Sequence, residues 1–244
     1  QEYGRALWQA NVNAAIDPNT NSIKYRFDWG VNQETGAPEL NKVLIPEFLD
    51  QQQTLRSSNT NWFEEISRVG VIQDYNVSLS NGTEKGNYYT SFGFFKNEGI
   101  IKTSKFDRFS LRLNADYKLF NDRVVIGENL SITKTSEVEG APINAALQAL
   151  PIIPVRTFDG TGWGGPVAGM NDRQNPVRLL EDNKQNDYDF LRLFGSFYVE
   201  ANLTKNLKFR TNLGLDYGDF TARRLRKRYE SGYLNNPVNR LESS

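Results

Sequence analysis

Apolar and polar residues alternate strictly along residues 109–119, which read F-S-L-R-L-N-A-D-Y-K-L. Because successive side chains of a β-strand point to opposite faces, the odd positions here form an apolar face and the even positions a polar one. Soluble strands seldom keep this alternation for so long, whereas a strand that crosses an outer membrane needs about 9–11 residues of it. The segment therefore predicts a membrane-crossing strand.

The same alternation recurs in other segments of the chain. It is clear along residues 191–203 and 207–217, and it is shorter along residues 75–80 and 88–94. Residues 123–133 follow it less well, because Glu128 falls on the apolar face and a carboxylate that faces lipid is unfavourable. Together these patterns predict six antiparallel strands, at residues 73–81, 87–97, 105–119, 123–135, 188–204 and 206–219.

Short and long connections alternate between the predicted strands. The short ones lie at residues 81–86, 120–122 and 204–206, and the longer ones lie at 97–104, at 136–187 and after Asp219. In outer-membrane barrels the short turns face the periplasm and the long loops face outward. We therefore expect an all-β fold, an antiparallel transmembrane β-barrel segment. The alternative is a soluble antiparallel β-sandwich, for instance a glycan-binding domain at the cell surface, which would bury its apolar faces.

The first 72 residues have a different pattern, with a predicted helix within residues 2–15, a short strand at 23–29, and short helices at 46–53 and 62–68. They predict a small, partly helical extracellular region. The expected organisation has five parts. These are an extracellular loop region at 1–72, four barrel strands at 73–135, a long extracellular loop at 136–187, a strand pair at 188–219, and the start of the next extracellular loop at 220–244.

The amino-acid composition excludes several kinds of catalytic and metal site. The chain has no His and no Cys, which excludes zinc sites built on those ligands, Ser-His-Asp or Cys-His nucleophiles, and disulfides. Basic and acidic residues number 29 each, so net charge gives no reason to expect a nucleic-acid partner. Among 29 acids no carboxylate pair of the glycosidase kind stands out. We expect no catalytic residue, no cofactor and no metal site.

Hydropathy is compatible with a barrel segment. Mean hydropathy is −0.59, as a barrel with a polar lumen face and polar external loops allows. No apolar run approaches the roughly 20 residues of a transmembrane helix. Aromatic residues make up 12% of the chain, which suits both strands and the aromatic girdles of outer-membrane barrels.

A set of short motifs extends over nearly the whole chain. They include N-T-N-W-F-E-E-I (59–66), G-V-I-Q-D-Y-N-V-S-L-S (70–80), N-Y-Y-T-S-F-G-F-F-K-N-E-G-I-I (87–101), F-D-R-F-S-L-R-L-N-A-D-Y (106–117), A-L-Q-A-L-P-I-I-P-V (146–155), N-P-V-R-L-L (175–180) and L-F-G-S-F-Y-V-E-A-N-L (193–203), with E-Y-G-R-A-L-W (2–8) before them. As a set, these motifs resemble the SusC/RagA family of TonB-dependent outer-membrane importers of Bacteroidetes.

The resemblance implies a 22-stranded barrel closed by an N-terminal plug, of which this chain is a piece. The plug, the TonB box and the first strand would precede Gln1, and the remaining strands would follow Ser244. Residues 1–72 would then be the first extracellular loop, and the six strands would be barrel strands two to seven. The resemblance also implies a SusD-like lipoprotein that covers the barrel, energy supplied through TonB, and either oligosaccharides or peptides as substrates.

The polar faces of the predicted strands supply candidate lumen residues. These side chains either contact plug or substrate, or they form a plain polar lining with ion pairs, and the barrel pattern favours the second interpretation. The candidates are Arg112, Asn114, Asp116, Arg192, Glu200 and Arg210.

The glycine-rich loop at residues 158–166 places Trp163 among glycines. Because aromatic faces stack on sugar rings and anchor interfaces, we select Trp163 as a contact for substrate or lid, together with Asp159 and Asn171. The alternative is a tryptophan that folds back onto its own loop. No GKS or GKT follows the glycines, so the loop is not a phosphate-binding loop.

The densest basic run comprises Arg223, Arg224, Arg226, Lys227 and Arg228. It is expected where a strand leaves the membrane, in reach of outer-membrane lipid, and it either binds lipopolysaccharide phosphates or is a solvated loop flank.

Three oxygen-bearing side chains, Asp17, Asn19 and Asn21, have the first spacing of a calcium loop. The glycine and distal glutamate of that motif are absent, so a turn cap is the expected role.

Overall fold

The computed structural model describes residues 1–20, 22–138, 140 and 142–244. Its helices are α1 (Glu2–Asn13), α2 (Trp62–Ile66), α3 (Ile143–Gln148) and α4 (Pro176–Asn183). Its strands are β1 (Arg26–Val31), β2 (Pro38–Leu44), β3 (Val71–Thr83), β4 (Gly86–Glu98), β5 (Lys105–Leu119), β6 (Val124–Val138), β7 (Asp187–Thr204), β8 (Leu207–Arg226), β9 (Tyr229–Ser231), β10 (Leu234–Asn236) and β11 (Arg240–Ser243). Within the described ranges, no helix is long and apolar enough to cross a membrane.

One large antiparallel sheet contains all six predicted strands. Its order is β11-β8-β7-β6-β5-β4-β3, so each of β3 to β8 pairs with its neighbour in sequence. The prediction of an all-β antiparallel fold is confirmed, and in this chain the sheet is open at β3 and β11. Sequential pairing through tight turns is the arrangement that alternation and loop lengths predicted.

The two faces of the sheet differ in polarity along its whole width. Direct partners in an antiparallel ladder share a face, and Leu113, Leu130, Gly195 and Leu215 are successive partners across four strands. This apolar face is exposed, since Val77, Leu213 and Leu215 keep 70%, 75% and 54% of their surface accessible. Glu128 lies on this face too, paired with Ala115 and Phe197, as its parity predicted.

Two features of the last strands differ from the prediction. The strand expected to end at Asp219 continues to Arg226, because its backbone beyond Asp219 pairs with β7 as far as Asp187↔Arg223. Residues expected to begin a loop also contain β11, which pairs with β8 from Arg240↔Arg226 onward. A residue whose backbone N–H and C=O groups have partners in the ladder stays in the sheet, whatever the polarity of its side chain.

Three chain segments, residues 1–66, 142–180 and 227–239, form a second compact unit, here called the loop unit. Each lies within a region predicted as an external loop. Apolar side chains from the first two segments pack into its core, because each segment alone is too short to exclude water, and the third segment adds the buried Ser231. The buried apolar residues of this unit are Trp8, Tyr25, Phe27, Val43, Leu49, Leu55, Trp62, Ile66, Ala146, Leu150, Ile152, Ile153 and Leu180.

The local elements of the loop unit match the prediction in part. Helices α1 and α2 lie where helices were expected, and the strand expected at residues 23–29 occurs as β1, paired with β2. The helix expected at residues 46–53 is wrong. Phe48 instead forms an antiparallel bridge with Arg56, and the Asp50 carboxylate accepts backbone hydrogen bonds from Thr54 and Leu55, which closes a turn rather than a helix.

Candidate functional site

All six predicted lumen residues lie on one face of the sheet, opposite the apolar face. Arg112 pairs with Ser131 and Ser131 with Phe194, and the alternation places the other five on the same side. Arg192 donates two hydrogen bonds to Asp216, at 3.1 and 2.9 Å. Glu200 accepts one from Lys208 at 3.2 Å and lies 3.8 Å from Arg210. The face thus carries ion pairs, and its place in a lumen stays a prediction.

The end of the polar face near the short turns is rich in polar side chains. A groove of about 680 Å³ is bordered by Asn87, Asn114, Asp116 and Tyr198 among others. The guanidinium of Arg210 lies 4.0 Å from the centre of the Tyr198 ring, a cation–π geometry that holds the cation over the sheet. This end can bind polar groups through many weak donors and acceptors.

The opposite end of the polar face, near the long connections, carries an aromatic–arginine belt that sequence reasoning missed. The belt consists of Phe95, Phe106, Arg108, Tyr188, Phe190, Phe220 and Arg224. Arg108 lies 5.3 Å from the ring centre of Phe95, and Arg224 lies 5.5 Å from that of Tyr188. The sequence did contain a signal for the belt, because each of these residues occupies a polar-face position in the alternation of its strand.

Trp163 is folded back onto its own loop. Its ring centre lies 3.4 Å from the guanidinium carbon of Arg156, and the two residues also form a backbone bridge. One ring face is therefore occupied by a cation, as in a strong cation–π contact. This arrangement agrees with the alternative given above, a tryptophan that folds back onto its own loop. A contact of Trp163 with substrate or lid stays a prediction, and it would use the ring face that Arg156 does not cover.

Asp159 closes the glycine-rich loop. Its carboxylate accepts hydrogen bonds from the Thr157 hydroxyl at 2.6 Å, from the Thr161 hydroxyl at 2.8 Å and from the Thr161 backbone N–H at 3.1 Å. The bond from Thr157, followed by those from Thr161, lowers the pKa of Asp159 below its usual value, because each donor favours the charged form. Asp159 is thus engaged in local structure. Asn171 is also engaged, donating to the Gln148 carbonyl at 3.0 Å.

The predicted basic patch is divided by the strand geometry. Arg223, Arg224 and Arg226 lie inside β8 rather than in a loop, so Arg224 and Arg226 project to the polar face and Arg223 to the apolar face. Arg224 donates to the Tyr188 hydroxyl at 3.0 Å. Lys227 and Arg228 belong to the loop unit. The run therefore does not form one patch on one face, since Arg223 alone lies on the apolar face. A lipopolysaccharide contact by these residues stays a prediction.

The suggested calcium loop is a hydrogen-bonded turn in its described part. Asp17 accepts the Asn19 backbone N–H at 2.9 Å, and Asn19 accepts the Phe27 backbone N–H at 2.8 Å. Asn21 lies outside the described residues. Within the described part of the chain, no cluster of three or more carboxylates has the geometry to hold a metal ion.

A buried polar cluster in the loop unit was also missed from the sequence. Asn175 donates to the carbonyls of Val155 and Gly164, both at 2.9 Å, and Ser231 donates to Gly164 at 2.7 Å. Arg178, which is 1% exposed, stacks 3.5 Å from the ring centre of Tyr229 and bonds to Gln174. These residues hold the glycine-rich loop in place. The Asn-Pro pair before α4 was a possible signal for Asn175.

Comparisons with known proteins find TonB-dependent receptors that are similar to this chain. No family model matches the chain. The TonB-dependent receptor SusC of Bacteroides thetaiotaomicron is 28% identical over 202 residues, covering 73% of this chain and 20% of the receptor. The TonB-dependent receptor P26 of Formosa agariphila is 26% identical over 170 residues, covering 65% of this chain and 16% of the receptor.

Solved structures of the RagAB peptide importer resemble the fold. Its "open-open" state matches with a TM-score of 0.51 and 17% identity over 75% of this chain, and a second RagAB structure matches with a TM-score of 0.50 over 78%. The resemblance to the SusC/RagA family is confirmed. The chain spans about a fifth of the length of SusC and of the matched RagAB chains, so each match covers one segment of those proteins.

Proposed function

We propose that this chain is a segment of a TonB-dependent outer-membrane importer of the SusC type. The importer takes up oligosaccharides or peptides together with a SusD-like surface lipoprotein, and TonB supplies the energy. It transports without chemical conversion and is not an enzyme. Its location is the outer membrane, where the strands contact lipid and their outer ends contact lipopolysaccharide.

The observation that carries this proposal is the exposed apolar face of the large sheet. Val77, Phe92, Phe209 and Leu213 are all at least half accessible, although they alternate with polar residues of the opposite face. An apolar surface of this width is unstable in water and is stable against lipid. Sequential antiparallel pairing adds support, since it lets the hydrogen bonds of a membrane-crossing strand be satisfied by its neighbours.

The connections to the loop unit indicate which ends of the strands face outward. All three of its segments connect to the sheet at the ends away from the tight turns at residues 84–85, 120–123 and 205–206. In outer-membrane barrels such long connections face outward. We therefore propose that the loop unit is extracellular and faces the lipoprotein partner, and that the polar face of the sheet lines the lumen.

The alternative, a soluble β-sandwich that binds glycans, would place a second large sheet over the apolar face. In the part of the chain that the structure describes, the other sheets have two strands each, and the apolar face stays exposed. We therefore prefer the importer.

The first experiment compares unheated and heated samples of the complete polypeptide on a denaturing gel. A closed barrel should migrate differently before and after heating, and should need detergent to remain monodisperse. A protein that is monodisperse without detergent and shows no heat-dependent shift would exclude the importer. Import itself is tested by disrupting the gene and measuring uptake of a labelled oligosaccharide mixture and a labelled peptide mixture, with a strain lacking TonB as the control. Loss of uptake of only one of the two mixtures, in the disrupted strain and in the strain lacking TonB, would identify the substrate class.

A further inference from the structure

We propose that the aromatic–arginine belt is a binding site for acidic oligosaccharides. The guanidinium groups of Arg108 and Arg224 would pair with carboxylate or sulfate groups, and the rings of Phe190 and Phe220 would stack on sugar faces. This inference rests on the proposed function, because the polar face must line the lumen for the belt to meet substrate.

The strand register brings the belt together across five strands. Phe95, Arg108, Thr135, Phe190 and Phe220 are successive direct partners in one row, from β4 to β8. The adjacent row toward the long connections contains Phe106, Glu137 and Tyr188 in the same way. Because adjacent strands lie about 4.8 Å apart, the row from Phe95 to Phe220 spans roughly 19 Å. This length fits several sugar units laid across the strands.

Arg108 and Arg224 have free hydrogen-bonding capacity for an anion. In the described part of the chain, neither has an acidic group within ion-pair distance, whereas Arg192 is paired with Asp216 and Arg210 lies beside Glu200. An aromatic ring lies beside each of the two guanidinium groups, and Arg224 also donates its Nε–H to the Tyr188 hydroxyl at 3.0 Å, which leaves its terminal N–H groups for a ligand. The remaining N–H donors of a planar guanidinium lie in one plane and can make bidentate contact with a carboxylate or sulfate.

The belt also offers accessible ring faces. Phe190 and Phe220 keep 38% and 56% of their surface accessible, and Tyr188 stacks on Phe220 at a centroid distance of 6.2 Å with a 20° interplanar angle. The Phe190 ring lies beside Gly218 on β8, where an added Cβ would be in ordinary van der Waals contact with it at 3.4 Å. The neighbouring row on the side of the tight turns contains Asn76 and Arg192. Its other members are the small residues Gly93, Ser110, Thr133 and Gly218.

The chemistry of the belt favours a sugar over a peptide. The backbone groups of β4 to β8 are used in the ladder, so this face offers no free main chain for an extended peptide to pair with. A sugar needs ring faces and side-chain donors, and both are present. Asp74, Glu137 and Glu242 lie on the same face. Asp74 already accepts a bond from Asn76 at 2.8 Å, and Glu242, the direct partner of Arg224, is paired with Arg240 at 3.0 Å. Selection of an anion therefore depends on the two directed guanidinium groups rather than on a broad positive field.

The test uses the complete protein in detergent and isothermal titration with three probes. These are a galacturonic acid oligosaccharide, the same oligosaccharide with its carboxylates methyl-esterified, and a polyglutamate peptide of similar charge. The wild type should bind the acidic sugar more tightly than the ester or the peptide, and the affinity should fall as salt is raised. Loss of one charge-assisted contact in Arg108→Gln or Arg224→Gln should weaken binding about tenfold or more. Arg123→Gln, in the turn between β5 and β6, is the matched control and should change the affinity less than about twofold.

Three results would overturn the inference: no binding of the acidic sugar by wild type, equal binding of the ester or the peptide, or unchanged binding in both arginine variants. Heat-dependent gel mobility shows whether each variant has folded, and the comparison of the three probes on wild type does not depend on any variant. A protein that shifts on heating and imports substrate, but does not prefer the acidic sugar, would keep the proposed function and lose this inference. A protein that never shifts would lose both.

Discussion

The loop unit and the large sheet use the same residue types in opposite ways. In the loop unit, Ile66 and Ile152 are at most 1% exposed, whereas Val77 and Leu213 in the sheet are 70% and 75% exposed. Water stabilises the loop unit by driving its apolar side chains together. It cannot stabilise the apolar face of the sheet, which needs an apolar solvent such as the lipid of a bilayer. The comparison supports the proposal that this chain folds in two solvents, water for the loop unit and lipid for one face of the sheet.

The two regions also differ in the hydrogen bonds that hold them. The sheet depends on backbone ladders between neighbours in sequence. The loop unit depends on side chains that bind distant backbone, such as the indole of Trp62 donating to Leu150 at 3.1 Å and the Thr60 hydroxyl donating to Ile153 at 2.7 Å. Substitutions should therefore damage the two regions by different mechanisms.

The largest effect should come from opening a cavity in the loop unit. Ile152→Ala removes a side chain that is 1% exposed, so we expect a loss of about 2–5 kcal/mol in the stability of this unit. Leu147→Ala, at a side chain that is 64% exposed, is the matched control and should cost far less. Hydrogen exchange of the loop-unit amides in the intact protein measures both. Equal effects at the two positions would mean that this core is not formed.

The next effect should distinguish the two faces of the sheet. Leu213→Arg places a cation on the exposed apolar face, and in a bilayer it should cost about 2–4 kcal/mol near the midplane. Asn212→Arg, one residue away on the polar face, should cost much less, since Asn212 pairs with Tyr198 on that face. Denaturant titration in liposomes, followed by heat-dependent gel mobility, gives the difference. A larger loss for Asn212→Arg would reverse the assignment of the faces.

A smaller effect should follow from removing a buried polar contact in the loop unit. Asn175→Ala leaves the carbonyls of Val155 and Gly164 without their side-chain donor and takes away the acceptor of two backbone N–H groups at the start of α4. We expect a loss of about 1–3 kcal/mol, with faster proteolysis of the glycine-rich loop. Asn171→Ala, which removes a bond from an exposed side chain, is the control. Indistinguishable cleavage rates in the two variants would contradict this role for Asn175.

The smallest effect should be the pH dependence of the loop unit. Burial raises the pKa of Asp50, but hydrogen bonds from the Thr54 hydroxyl and from the backbone of Leu55 and Thr54 bring it, on balance, below its ordinary value of 3.8. A carboxyl group with a lowered folded pKa adds stability above its unfolded pKa, and this contribution is lost as pH falls through the folded pKa. Hydrogen exchange at about pH 5 and about pH 3 should show weaker protection at the lower pH. Asp50→Asn should reduce that difference, and an unchanged pH dependence would exclude Asp50 as its source.

Much of the large sheet was predictable from the sequence because the signal is local. Alternation with a period of two defines both the existence of a strand and the face of each side chain. The expected strand at residues 105–119 matches β5 (Lys105–Leu119) at both ends, and the six candidate lumen residues fall on one face as their parity requires. The resemblance to SusC-like proteins rests on motifs in these same strands and their connections.

Tertiary structure decided the features that depend on partners far away in the chain. The extension of β8 to Arg226 requires β7 and β11. The turn at Asp50 depends on a partner nearer in sequence, since it replaces a helix where Phe48 bridges Arg56. The assembly of three segments into the loop unit, with Arg178 buried against Tyr229, follows no local period. The physical reason is that side chain-to-backbone bonds and apolar burial join residues whose spacing in sequence carries no signal, whereas a strand carries its pattern within itself.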